Sequence, residues 1–277
     1  MAALNRLRIG ETAYSAHRER LTRLVRALAR TEGLCVLGAG NCYDLDLPVL
    51  VRELGPTALV DIDGQALQGA IGRLPPETAR QTSAHGGIDL GGALDRLEDW
   101  GDRLPPAAEV EALAEKTAAA VAGSLGRTFD VVLSACVLTQ IYVPFQENLV
   151  LRPEEWQRLF EALGTVHLAI MAALLRPGGT GVLATDVASS RSAPAAFAAV
   201  ATDGLPEENA RRVAEHLASQ AGPFSPDPQA LLALGKRPFF ADRVERGRLT
   251  EPWLWDAEGT QALVYALIFN RPDPEET

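Results

Sequence analysis

Short apolar runs recur along this chain with helical patterns between them, and that alternation narrows the possible folds more than any other feature. "LCVL" (Leu34–Leu37), Ala58–Ile62, part of the more polar "TARQTSAHGGIDL", Asp130–Ser134 and "TGVLATDV" read as strands. Helical patterns cover 13–31, with Leu21, Leu24, Val25 and Leu28 on one side, then 45–54, 64–74, the alanine-rich 107–125 and 153–175. Pro48 is tolerated in the second helix only near its first turn. Arg176-Pro177-Gly178-Gly179 supplies a stop after the last one. Strand and helix in repeated alternation predict a parallel sheet with helices on both faces.

The pattern changes at Ser189. From 189 to 249 no strong strand stands out, and helices are expected near 194–201, 206–220 and 227–234. A segment of that length is too long for an ordinary connection and reads as an inserted helical cap. "EPWLWDAEGTQALVYALIFNR" reads as a hairpin of two strands, about 252–256 and 261–270, its two tryptophans packing against the insert. The expected organisation is an N-terminal helical segment (1–31), a core formed by 32–188 and 250–277, and the cap at 189–249.

Composition sets the class. Of 277 residues, 47% are hydrophobic and 22% charged, a globular balance with room for one large domain. No run approaches the length of a membrane span, and the first twenty residues lack an apolar core with a cleavage site. Cys35, Cys42 and Cys136 form neither a disulfide framework nor zinc-ligand spacing, so a cytoplasmic, reducing location is expected. His17, His85, His167 and His216 are too dispersed for a metal site. His167 reads as a core residue, and His85 lies near the ligand end of the third strand. A formal net charge of -10 argues against nucleic acid as a partner, and arginines 18, 20, 23, 26 and 30 read as a solvated helix face. Monomer and homodimer are both open.

Gly38, Ala39 and Gly40 follow the first strand directly, where bare backbone lets a ligand approach. Asp61 ends the second strand; its carboxylate presents only lone pairs, so it can accept both hydroxyls of a ribose and would repel a 2'-phosphate. Ile62 suits one face of an adenine, and Asp63 reads as the cap of the next helix. The dinucleotide pattern GxGxxG would need glycine at Tyr43, so the loop is a poor pyrophosphate site.

Taken together, these stretches resemble the class I S-adenosylmethionine-dependent methyltransferases, over roughly 32–188 and 250–272. "VLGAGNCY" resembles the family's glycine loop, "VDID" the acidic end of its second strand, "FDVVLSAC" its fourth-strand motif and "LLRPGGTGVLATD" its helix-turn-fifth-strand motif. Val36 stands where many members carry an acidic residue, and Cys42 where the third glycine falls. The resemblance implies a Rossmann-like, mostly parallel seven-stranded α/β sheet with an antiparallel strand in a C-terminal hairpin. It also implies S-adenosyl-L-methionine as cofactor: Gly38, Ala39 and Gly40 around its methionine part, Asp61 on its ribose, Asp89 of "GGIDL" at its adenine amino group, and Ser134 in the fourth-strand motif beside it.

The expected acceptor is a small molecule or a peptide, methylated by direct in-line displacement, with much of the rate coming from holding the reactants together. Contacts are expected from the loop after the fourth strand, 134–148. There Tyr142 and Glu147 are candidates to take a proton or steer an amine, against a reading as plain loop residues. Gln140, if buried, needs a partner in backbone or ligand. The chain lacks the Asn/Asp/Ser-Pro-Pro-Tyr/Phe stretch of base-amine methylation, and Cys136 lacks the preceding proline of cytosine-C5 enzymes. The rival readings are a nicotinamide-dependent oxidoreductase and a silent cofactor-binding scaffold. The second rival predicts no open space beside the cofactor lined by 140–148 and the cap.

Overall fold

A computed structural model describes residues 14–28, 33–96, 99–100, 104–200, 206–219, 227–257 and 259–274. The expected helix ends at 13, 29–31, 201 and 220, and the outer parts of the expected terminal segments (1–13, 29–32, 275–277), lie outside the described residues.

Strands β1 (Leu34–Leu37), β2 (Thr57–Val60) and β4 (Phe129–Ala135) are buried along their whole length, the condition of parallel strands covered on both faces. Side chains alternate between two separate cores. Leu34, Val36, Leu59, Val131 and Leu133 meet helices α1 (Ser15–Ala27), α2 (Leu47–Leu54) and α3 (Gly64–Gly72) on one face. Cys35, Leu37, Val60 and Val132 meet the other group: α5 (Ala107–Leu125), α6 (Leu138–Asn148) and α7 (Pro153–Leu174). A short α4 (Pro76–Ala79) precedes β3 (Thr82–His85) at the sheet edge.

The strand order is β3-β2-β1-β4-β5-β8-β6, with β5 at Leu175–Ser189, β8 at Thr260–Asn270 and β6 at Glu245–Leu249; β7 (Trp253–Ala257) also pairs with β8. β1 to β5 run parallel, and β8 lies antiparallel to β5. The sheet therefore has eight strands where seven were expected. β6 and β7 share one edge of β8, pairing with Leu267–Asn270 and with Thr260–Val264 respectively. Pro252, which has no N–H to give, lies where this outer strand breaks in two. β6 falls in the segment read as strandless. Its side chains "ERGRL" are half-buried or exposed, so it carries no apolar alternation.

The rest of 189–249 divides between two places. α8 (Pro194–Ala198) and α9 (Pro206–Ser219) bury Phe197, Val213 and Leu217 with Val187, Ala188 and Leu263. α10 (Pro228–Leu234) places Leu231 and Leu234 in the core that contains α7. The sequence after α7 continues as strand through Arg176–Gly179, with the register against β4 slipping between Phe129 and Val131; Asp130, almost wholly buried, pairs there with Arg176.

Gly181 of β5 lets the Phe269 ring of β8 lie directly on the backbone: a Cβ at 181 would fall 2.2 Å from Phe269 Cζ. Gly181→Ala is expected to destabilise the fold by about 1–3 kcal/mol, the usual cost of overpacking. An unchanged urea midpoint would show that the ring yields freely.

Candidate functional site

The carboxyl ends of β1, β2, β4 and β5 bring together most of the residues picked out from the sequence. After β1 the chain turns through positive φ at Gly38 (70°), Gly40 (46°) and Cys42 (53°). Cys42 thus holds the left-handed conformation that makes glycine usual at such a place, at a cost of roughly 1–2 kcal/mol. Its thiol is buried, which pushes its pKa far up, and the nearby Asp44 adds to this. It is therefore inert as a nucleophile. Gly38 has a packing reason of its own, since a Cβ there would lie 2.2 Å from Val137 Cβ in the loop after β4.

The loop is tied to β2 throughout. Gly38 and Ala39 donate their N–H groups to Val60 O at 2.9 and 3.2 Å, and Gly40 donates to Asp61 Oδ2 at 2.9 Å. Asp61 Oδ1 accepts from Asp63 N at 2.9 Å. The Ile62 amide also favours the charged form, so of the carboxylate's roughly four acceptor positions at least one stays open to a further donor. Burial raises the Asp61 pKa, while the amides of Asp63 and Gly40 oppose that shift. Ile62 is half-buried beside it, and Asp63 caps α3 by accepting from Gln65 N and Ala66 N. The three amides a diphosphate would seek are all committed, and α2 starts seven residues beyond Gly40 behind an acidic cap, Asp46. A ribose with its two hydroxyls and an uncharged purine fits this donor set; a pyrophosphate does not.

Asp89 follows β3. Its two oxygens accept from Gly91 N and Leu94 N, so the carboxylate shapes its own loop while lining a cleft of about 470 Å³ against α5. Ile88 N donates to Asp61 O, which sets this loop next to the end of β2. Ser134 is placed elsewhere. Its side chain is wholly buried on the α7 side, 2.8 Å from His167 Nε2, while His167 Nδ1 lies 3.2 Å from Leu90 O. A carbonyl only accepts, so Nδ1 carries the proton and the Ser134 hydroxyl donates to Nε2. Burial lowers the His167 pKa to about 4. His85, half-buried at the end of β3, is 3.1 Å from Ser83 Oγ.

The stretch expected as an acceptor loop is the helix α6, with Pro144 inside it. Gln140 finds a backbone partner, donating to Cys136 O at 3.1 Å. Tyr142 is buried with its ring stacked on Phe160 at 5.0 Å, and its hydroxyl has no hydrogen-bond partner. Glu147 is on the exposed side of α6. Between α6 and the end of β5 lies a cleft of about 410 Å³, lined by Gln140, Tyr142 and Gln146 on one side and Asp186, Ser189 and Ser192 on the other.

Three residues here were not singled out from the sequence. Asp186, half-buried, interrupts the buried run of β5, and its Oδ1 accepts from Thr139 Oγ1 at 2.6 Å. Burial raises its pKa, against the Thr139 hydrogen bond. "VLATD", like "LVDID", sets an acid directly after an apolar run, which is the signal in the sequence that marks Asp186. Asp44 has its pKa pushed up to about 7 by burial, its own backbone hydrogen bond and Arg18 opposing, Asp61 adding. His17 of α1 accepts from Trp253 Nε1 at 3.0 Å, stacks on Trp255 at 4.6 Å and points Nε2 at Cys136 Sγ, 4.0 Å away. The tryptophans therefore pack on the N-terminal helix rather than on the insert; Leu254, between them, faces the α8–α9 cluster.

Among the described residues no grouping could hold a metal ion, and no helix is long and apolar enough to cross a membrane.

Two consequences are measurable. Tyr142→Phe deletes a buried hydroxyl without a partner, so thermal stability is expected to stay level or rise; a clear fall in Tm would reveal a partner. His167 binds a proton at about 4 folded but near 6.5 unfolded. Its contribution is therefore intact above about pH 6.5 and lost as pH falls toward 4. The wild type should lose about 2 kcal/mol through this residue between pH 7 and 5. His167→Gln, though less stable overall, should show that much less pH dependence in urea unfolding; parallel profiles would refute the assignment.

No protein-family profile matches the chain, and no curated protein is similar to it. Among solved structures, the CurJ carbon methyltransferase aligns with a TM-score of 0.51 at 12% identity, over 98% of this chain and 58% of that one. An O-methyltransferase family protein from Burkholderia thailandensis aligns with a TM-score of 0.46 at 14% identity, over 99% of this chain and 60% of that one. The glycopeptide N-methyltransferase MtfA, solved with S-adenosyl-L-methionine, gives 0.34 at 15% identity, over 64% of this chain and 55% of that one. The chain thus spans little more than half the length of these proteins. The likeness to CurJ, together with the strand order and the reversed β8, shows that the chain has the class I methyltransferase fold.

Proposed function

We propose that this chain transfers a methyl group from S-adenosyl-L-methionine to a small-molecule acceptor by direct in-line displacement. A shared fold does not carry that reading. The observation that does is the buried Asp61 carboxylate, with acceptor capacity left beside the Gly38–Gly40 turn, at the same sheet end as the open cleft between α6 and β5.

Bound there, the cofactor would supply an electrophilic methyl on a sulfonium. Asp61 would take the ribose hydroxyls, Ile62 would lie against the adenine, and the turn at Gly38, Ala39 and Gly40 would admit the methionine part. Asp89 would meet the adenine amino group through its remaining lone pairs. The cleft's volume, about 410 Å³, suits a small molecule. Gln140, Tyr142 and Gln146, with Ser189 and Ser192 across from them, line the open space that a silent scaffold would lack. The committed amides of the first loop speak against a nicotinamide dinucleotide. A location in the cytoplasm remains part of this proposal, consistent with three free, buried cysteines.

Calorimetry of the purified chain with S-adenosylmethionine, S-adenosylhomocysteine and NAD decides the cofactor. Saturable binding of the first two and none of NAD is expected; NAD binding, or silence with both sulfur compounds, would overturn the proposal. Asp61→Ala should weaken S-adenosylhomocysteine binding by about 2–3 kcal/mol, roughly 30- to 150-fold. Unchanged affinity would remove Asp61 from the site.

A further inference from the structure

We infer that the cleft between α6 and the end of β5 takes a small amine with a flat apolar body, its nitrogen seated on Asp186; the inference rests on the methyltransferase reading. Asp186 is the one charged side chain among the described residues lining the cleft, and no described basic side chain forms an ion pair with it. Thr139 holds one of its oxygens by a 2.6 Å hydrogen bond, which fixes the orientation of the other. Asp186 is half-buried, and a carboxylate partly withdrawn from water with no cation beside it is left under-compensated. An ammonium group offsets that charge, a neutral alcohol does so only by hydrogen bonding, and an anionic acceptor is repelled.

The second observation is independent of the first. Tyr142 and Phe160 both line the same cleft, while the Tyr142 hydroxyl is closed off from solvent. Its ring, stacked on Phe160, gives the wall a flat aromatic surface, extended by Val143 and Val187. Charge at one point and an aromatic wall beside it describe an arylalkylamine-like molecule.

The proton balance closes without any further reagent. Asp186 takes one proton from the bound ammonium, freeing the nitrogen lone pair; burial, which raises this carboxyl's proton affinity, favours that transfer. The nitrogen–carbon bond then forms as the carbon–sulfur bond breaks, the bonding pair staying on sulfur. The positive charge leaves on the methylated ammonium, and Asp186 returns its proton to water.

The test compares 2-phenylethylamine with 2-phenylethanol, titrated into the full chain with and without saturating S-adenosylhomocysteine. The amine is expected to bind at least about tenfold more tightly than the alcohol. In Asp186→Asn, where Thr139 can still donate to the side-chain oxygen, the preference should shrink to below about threefold. Equal affinities in the wild type, no binding of either compound, or a preference that survives in Asp186→Asn would each overturn the inference. The two readings fail separately. Binding of S-adenosylhomocysteine with no amine preference leaves the methyltransferase standing and removes the amine; an amine preference without S-adenosylhomocysteine binding does the reverse.

Discussion

The bonds from Asp61 to Gly40 N and Asp63 N hold the loop after β1 against the end of β2, and the geometry of the whole ligand end follows from that tie. With Gly38 and Ala39 also donating to Val60 O, the loop has no freedom to swing outward. The amides of Gly38, Ala39 and Gly40 are spent on β2, so the turn offers a ligand backbone with those three donors already committed. That property selects a cofactor recognised by its hydroxyls and flat base, and it disfavours one recognised by phosphate. The strained Cys42 is supported in the same way: a left-handed non-glycine residue persists where its neighbours over-determine it.

Around this tie the fold gathers carboxylates that burial pushes toward higher proton affinity: Asp44, Asp61 and Asp186. Like charges brought together at one sheet end oppose folding, and a cationic ligand relieves them. α1 closes over the same end through His17, held by Trp253 and stacked on Trp255. The neutral imidazole adds no positive charge there, since burial lowers its pKa to about 4. His17 therefore offsets none of this negative charge, while Arg18 offsets part of that on Asp44.

What was legible in the sequence follows from how strongly burial marks it. β1 is apolar throughout, β2 is apolar after Thr57 and the Asp63 cap has a local signature, so all three could be read directly. β6 could not, because an outer strand made of "ERGRL" carries no hydrophobic pattern and exists only through β8. The side of Ser134 was hidden for the opposite reason. Alternation puts it on the face of Val132, but a strand buried on both faces does not say which face meets α7. The tryptophans pose the same problem: spacing two apart places them together, while only the assembled sheet shows that α1 covers them. Tyr142 and Gln140 were identified, but the helix carrying them was not, since Pro144 lies within it.

That helix also explains why the cleft is suited to positioning. Thr139 bonds to Asp186 on β5, Gln140 reaches back to Cys136 O at the end of β4, and Tyr142 stacks on Phe160 of α7. These contacts tie this wall of the cleft to β5, to the residue just after β4 and to α7. A transfer that relies on bringing a nucleophile in line with a methyl group needs little chemistry from the protein but a fixed distance and angle. The cross-links of α6 to β5 and α7 supply that rigidity.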